Sequence, residues 1–191
     1  MLVGKKVMLR AYDDSEDAWL AVKWRNDPQI KAFFFEEEPL SFYSHLEWID
    51  EVLHNPNIRY YMIQINADDD CKAATIGTIG LNHIDWRNHT AEFGWFLIGE
   101  AKYRSWGYGK EAIFLILDYA FNHLNLNKIW LETMALNEVA SVTYQKMGFQ
   151  GEGILREQKF KNGKYIDVYI YGLLRRDFDA LKEKLIEELD L

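Results

Sequence analysis

One cysteine, three prolines and no long apolar run set the first limits on this chain of 191 residues. A lone cysteine, Cys71, can close no internal disulfide and build no cysteine-based metal site, which fits a reducing cytoplasm. The five histidines are scattered without ligand spacing, so no metal is expected. The longest uninterrupted apolar stretch, Ala112 to Leu117, stops at Asp118, far short of the ~20 residues of a membrane span. The opening Met1 to Lys6 has neither an apolar signal core nor a small-residue cleavage site. The expectation is a soluble, cytoplasmic protein with no membrane partner. Basic residues are also scarce: 22 Lys and Arg stand against 30 Asp and Glu, a net charge of −8 that disfavours a nucleic-acid partner.

What is present is a core. With 49% hydrophobic and 15% aromatic residues, the length predicts a single folded domain over 1–191. The acidity is uneven, because residues 1–70 hold 7 Lys and Arg against 14 Asp and Glu. Such an excess is either a solvated face or a vestibule that gathers a cationic substrate.

Periodicity divides the chain into elements. Val7 to Arg10 reads as a short strand, and Asp13, Asp14 or Ser15 is expected to cap a helix carrying Ala18, Trp19, Ala21, Val22 and Trp24 until Asn26-Asp27-Pro28 breaks it. After Ser41, the spacing of Phe42, Leu46, Ile49 and Leu53 predicts a second helix that ends at His54-Asn55-Pro56. Between them, Phe33-Phe34-Phe35 and Glu36-Glu37-Glu38-Pro39 form a loop that joins aromatics to carboxylates. The period then becomes that of strands: Tyr60 to Asn66, a turn at Ala67 to Lys72, Ala73 to Trp86, and Thr90 to Ile98. A glycine-bearing loop, Ala101 to Gly109, leads into a helix from about Lys110 to Leu124, apolar nearly all round and hence buried. Lys128 to Met134 reads as a buried strand and Glu138 to Met147 as a helix stopped by Gly148. Phe149 to Phe160 and Lys164 to Leu174 are strands joined by an Asn162-Gly163 turn, and Arg175 to Leu191 is an amphipathic helix. The fold class predicted is a mixed α/β layer of about seven mostly antiparallel strands flanked by helices, closed by a C-terminal helix.

Chemistry concentrates in two places. In Arg104-Ser105-Trp106-Gly107-Tyr108-Gly109-Lys110, two glycines at a helix start leave backbone N–H groups bare where the helix dipole also favours a phosphate. A nucleotide P-loop needs Ser or Thr after its Lys, but Lys110 is followed by Glu111; a dinucleotide fingerprint needs a third Gly where Ala112 stands. The second place is Asn137, Ala140 and Tyr144, which share roughly one helix face before Gly148-Phe149. Alone, a Tyr at that spacing is as well read as a core residue.

Together, Arg-x-x-Gly-x-Gly opening a helix and Asn-x-x-Ala-x-x-x-Tyr-x-x-x-Gly-Phe after the next strand resemble the GNAT superfamily of acyl-CoA N-acyltransferases. The element order over nearly the whole chain is similar too. Gly151-Glu152-Gly153, Arg156-Glu157, Phe160, Asn162-Gly163-Lys164 and Asp167 resemble the branch with ribosomal-protein, spermidine and amino-sugar N-acetyltransferases. The resemblance implies that the backbone from Arg104 to Lys110 (Arg104, Ser105, Trp106, Gly107, Tyr108, Gly109, Lys110) holds the pyrophosphate of acetyl-CoA. It also implies that the strand ending Phe96-Leu97-Ile98 pairs with the pantetheine amides, that Gly94 marks a bulge admitting the cofactor, and that Asn137 bonds the pantetheine arm. Tyr144 would protonate the leaving thiolate.

A primary amine arrives mostly protonated, its pKa being about 10.4 when Lys-like, so direct attack on the thioester needs a base. Glu92 is the candidate; strict alternation puts it on one face with Gly94 and Phe96, opposite Ala91, Phe93 and Trp95. His83 or His89 is an alternative base, and Cys71 is read as incidental. The acceptor is a small-molecule or peptide amine, and three classes stay open: protein N-termini, polyamines and amino sugars. Glu36 and Glu37 before Pro39 resemble the acidic loop of spermidine acetyltransferases, with an extra Glu38. Trp24-Arg25-Asn26-Asp27-Pro28, His45 and Trp48 resemble the amino-sugar branch. Arg25 discriminates: facing the cleft it suits a nucleotide or carboxylate, and facing Asp27 or Glu47 it is structural. A non-catalytic CoA-binding sensor is the reading of a different class, and Tyr144 speaks against it. Tyr165, Tyr169 and Tyr171, or the last helix, offer a surface for a homodimer.

Overall fold

The computed structural model describes residues 1–13, 16–67 and 73–191. Eight strands form one sheet in the order β1-β2-β3-β4-β5-β6-β8-β7. The chain enters through β1 (Leu2–Val3) and β2 (Val7–Arg10), then crosses one face as helices α1 (Asp17–Asn26), α2 (Pro28–Lys31) and α3 (Phe42–His54). It continues as the antiparallel run β3 (Arg59–Ile65), β4 (Ala74–Asp85) and β5 (Thr90–Ile98). Helix α4 (Tyr108–Asp118) carries it along the other face to β6 (Lys128–Met134), which pairs with β5 in parallel. After α5 (Glu138–Lys146), the hairpin of β7 (Gln150–Lys161) and β8 (Lys164–Leu174) completes the sheet and α6 (Arg175–Leu189) closes the chain. The mixed architecture agrees with expectation; the strand beyond the expected seven is β1, whose two residues carry no periodicity to read.

The sheet has a core on each face. Ile63, Ile79, Leu81, Ile113, Ile116, Leu117 and Phe178 are buried on the α4 and α6 side. Trp24, Ile30, Ile49, Val52, Tyr60, Met62 and Leu97 are buried under α1 to α3. Burying a large apolar side chain contributes roughly 1.5–3 kcal/mol, so these clusters supply the main drive to fold.

Local differences have local causes. Of the expected caps for α1, Asp14 and Ser15 lie outside the described residues, as does Cys71. Glu16 occupies the N-cap without a side-chain cap bond. The first turn is held instead by buried Asp17, which accepts from Arg10 at 2.6 and 2.7 Å and from the Asp13 backbone N–H at 2.7 Å. Ser41 does cap α3, accepting from the Ser44 N–H at 3.0 Å. Helix α4 starts at Tyr108, two residues earlier than expected, because Gly107 takes φ +90° and turns the chain into the helix itself. Its expected C-terminal part is a π-helical turn, Tyr119–His123. Of the three tyrosines expected to crowd one face of β8, Tyr171 is buried in the core and Tyr169 packs on it, leaving Tyr165 exposed.

Candidate active site

Strands β5 and β6 pair only through Thr90↔Lys128, Ala91↔Ile129 and Glu92↔Trp130. Past Glu92 the two run on without a shared ladder, so a cleft opens between Phe93–Ile98 and Leu131–Met134. On its other edge β5 carries a bulge, with Trp95 and Phe96 together opposite Ile79 between the pairs Thr78↔Leu97 and Gly80↔Gly94. The expectation that Gly94 forms the bulge is therefore corrected: Gly94 is in register and Trp95 takes the left-handed conformation, φ +51°. The Trp95 carbonyl is held there by Thr78 Oγ1, which donates to it at 2.6 Å.

The bulge also overturns strict alternation. Phe96 packs on the same face as Phe93, their rings 5.9 Å apart, whereas Trp95 lies under α3 against Trp48 and Tyr60. Glu92 thus does not share its face with Phe96. Leu97 is buried among Trp24 and Met62, so its side chain lies on the other face of the sheet from Phe96.

At the mouth of α4 a Cβ added to Gly107 would meet only Lys6 Nζ, at 3.6 Å, while one on Gly109 would come within 3.0 Å of Phe96 Cζ. The loop is thus open on one side and packed against β5 on the other, a cradle that backbone N–H groups can offer to a phosphate. Arg104 folds back to donate to the carbonyls of Ile98 at 3.2 Å and Gly99 at 3.3 Å, pinning the loop to the end of β5. Buried Glu111 accepts from the N–H groups of Lys6 at 2.8 Å and Val7 at 3.2 Å and fixes the first turn of α4 from below.

A cavity of about 450 Å³ fills the cleft; Glu92, His83, Glu132, Asn137, Tyr144 and Phe96 are among its lining. Tyr144 is 9% exposed and packs edge-on to Phe93 at 5.7 Å. Burial holds its phenol above the ordinary range, so the hydroxyl carries its proton at neutral pH. Asn137 caps α5, its Oδ1 accepting from the Ala140 N–H at 3.2 Å. Glu92 pairs with His83 Nδ1 at 2.7 Å, and Asn82, its amide nitrogen turned toward Glu92, donates to Oε2 at 3.1 Å. Burial raises the Glu92 carboxyl; His83 opposes the shift and Glu132 adds to it. His89 stays in the β4–β5 turn, where its carbonyl accepts from the N–H groups of Asn127 at 2.7 Å and Lys128 at 3.2 Å.

The roof comes from the loop after α2. Arg25 faces neither Asp27 nor Glu47: it lies over the Phe34 ring at 4.3 Å and pairs with Glu36 at 3.2 Å, and both Arg25 and Glu36 border the cavity. Glu37 turns away, accepting from the Asn162 N–H at 3.2 Å. Behind the roof, His45 is wedged between Tyr12 and Trp48; burial first, then Arg25, pushes its pKa down to about 4, so it is neutral. Two participants escaped the sequence reading, Glu132 and the pairing of His83 with Glu92. The signal for Glu132 was the alternation Lys128, Trp130, Glu132 along β6, which lays polar groups on the face opposite Ile129 and Leu131.

Among the described residues there is no group of three or more His, Cys, Asp or Glu that could hold a metal ion, and no helix is long and apolar enough to cross a membrane.

Residues 6–150 match the acetyltransferase (GNAT) domain family. A spermidine N(1)-acetyltransferase of Vibrio cholerae is 32% identical over 143 residues, covering 75% of this chain and 79% of that protein. A putative ribosomal N-acetyltransferase of Bacillus subtilis is 28% identical over 155 residues, 80% of this chain and 81% of that one. The crystal structure of spermidine N-acetyltransferase from Vibrio cholerae in complex with CoA and spermine superposes with a TM-score of 0.81 at 29% identity, covering 91% of this chain and 98% of that chain. The parted strands, the open glycine turn and these likenesses lead to one conclusion: the chain belongs to the GNAT acetyltransferases and is an N-acetyltransferase that uses acetyl-CoA as co-substrate.

Proposed function

We propose that the acceptor is a small polycationic amine of the polyamine class, acetylated by direct attack in a ternary complex. The observation that carries this reading is the charge of the cavity. Glu36, Glu92 and Glu132 border it against a single arginine, Arg25, which Glu36 and the Phe34 ring already engage. A cavity with surplus carboxylate attracts ammonium groups, and low-dielectric walls strengthen that attraction. The likeness to spermidine N-acetyltransferases points the same way. An amino sugar linked to a nucleotide would want a free guanidinium, and Arg25 is not free.

When bound, acetyl-CoA supplies the activated acetyl thioester. The backbone N–H groups from Arg104 to Lys110 hold its pyrophosphate, the unpaired edge of Phe96, Leu97 and Ile98 receives the pantetheine amides, and Asn137 bonds the arm through the amide nitrogen that capping leaves over. Glu92, its carboxyl raised toward neutrality and braced by His83, takes the proton of the attacking ammonium, directly or through a water. A backbone N–H near the Trp95 bulge stabilises the developing oxyanion. Tyr144 returns a proton to the departing sulfur. Glu132 and Glu36 hold the remaining charge of the acceptor, and the whole of 1–191 acts as one catalytic domain. A protonated phenol buried at the end of a cofactor cleft has no use in a mere CoA sensor.

Calorimetric titration with acetyl-CoA, followed by thiol release over spermidine, N-terminal peptides and amino sugars, tests the reading. Release with spermidine and not with the other classes is expected. Release with a peptide or an amino sugar alone would overturn the acceptor assignment, and binding without release on any would favour a sensor.

A further inference from the structure

A lysine stands where packing alone would place a methionine. Lys161, the last residue of β7, is 6% exposed, and among the described residues no carboxylate lies within ion-pair distance of it. Its ammonium donates to the carbonyl of Lys31 at 2.9 Å and to that of Phe34. Removing an ammonium from water without a paired anion is costly, so burial of this group needs its two acceptors. Those carbonyls belong to the end of α2 and to the loop that roofs the cavity, 130 and 127 residues away in the chain. Neighbouring contacts repeat the tie: Lys159 Nζ lies 4.5 Å over the Phe35 ring, and the Asn162 N–H donates to Glu37 at 3.2 Å. The β7–β8 hairpin therefore grips three residues of the roof, and the Phe34 peptide it holds carries the ring on which Arg25 and, through it, Glu36 are set.

The geometry points to Lys161 as the positioning residue of the acceptor site, fixing from outside the cavity the roof that meets the amine. This rests on the polyamine reading for its activity readout alone. The hydrogen bonds of Lys161 run to Lys31 and Phe34, neither of which belongs to the glycine turn or to the cleft edge of β5, so cofactor affinity is expected not to depend on them.

Lys161→Met keeps the length and apolar stem and removes the donors; Lys161→Arg keeps donors. In the full-length protein, Lys161→Met is expected to raise the KM for spermidine about tenfold with kcat within about twofold. The Kd for acetyl-CoA should not change, hydrogen exchange should quicken at the amides of residues 32–37, and Lys161→Arg should restore most of the affinity. An unchanged KM, or a fall in kcat and cofactor affinity together, would overturn the proposal. So would exchange at 32–37 indistinguishable from wild type, a result readable even if no polyamine is acetylated and only the acceptor assignment has failed.

Discussion

Thr78 Oγ1 donates to the carbonyl of Trp95 at 2.6 Å, and this bond holds the β5 bulge that faces Ile79. Trp95 can stay in the left-handed region, which costs a non-glycine residue about 1–3 kcal/mol, because its neighbours over-determine it: Thr78 from the strand, Tyr60 and Trp48 from the aromatic cluster. Thr78→Val keeps the shape and removes the donor, taking this bond from the half-buried Trp95 carbonyl. A loss of about 1–3 kcal/mol in urea unfolding is expected, together with reduced kcat. Full stability with full turnover would mean that the bulge does not depend on this bond.

Tyr144→Phe removes a hydroxyl from a ring that keeps its contacts with Phe93 and Phe149. Turnover should drop by on the order of 10²-fold while acetyl-CoA binding measured by calorimetry stays near wild type. Undiminished turnover would remove Tyr144 from the mechanism.

Gly107→Val places a β-branched residue at φ +90° and fills the open side of the turn. Weaker acetyl-CoA binding is expected, with a modest fall in melting temperature. A normal dissociation constant in a folded variant would mean that the turn does not carry the phosphates.

Glu92 sets a pH dependence whose sign follows from its surroundings. Burial raises its carboxyl above the ordinary ~4.3 of a glutamate, so the base form, and with it kcat, is lost on acidification at a higher pH than a solvated glutamate would show. The same shift makes its contribution to stability complete at low pH and diminishing as pH rises through the raised value. Glu92→Gln should lower kcat by on the order of 10²-fold and erase that inflection from the pH–rate profile. A variant retaining both rate and inflection would place the base elsewhere.

Glu132 borders the cavity and bears on Glu92 electrostatically, and among the described residues it forms no ion pair. Glu132→Gln and Glu36→Gln should each raise the KM for a polycation, with the gap to wild type shrinking as salt rises. A salt-independent gap would mean that these carboxylates act by shape or hydrogen bonding.

Much of this could be read in the residues themselves. Alternating Thr and Ile marked β4, Ser41 marked the start of α3, and Asn162-Gly163 marked the hairpin, because each rests on interactions within a few residues. What escaped depends on distant partners. The transposition of Trp95 and Phe96 follows from Ile79 lying opposite both, and nothing in Gly94-Trp95-Phe96 announces it. Arg25 found Glu36 instead of Asp27 or Glu47 because the turn after α2 folds the aromatic loop back over it. His83 and Glu92 stand nine residues apart in sequence, yet they meet only across the β4–β5 pairing.

The short β5–β6 pairing has a consequence for how the chain assembles. Strands β3 to β5 and the β7–β8 hairpin join sequence neighbours, but β5 meets β6 only after the excursion through α4, and longer loops are slower and costlier to close. The seam thus rests on three residue pairs and closes a longer loop than the β7–β8 hairpin does. A ligand lying along it would act as a clasp between two halves of the sheet, slowing global unfolding more than local fraying.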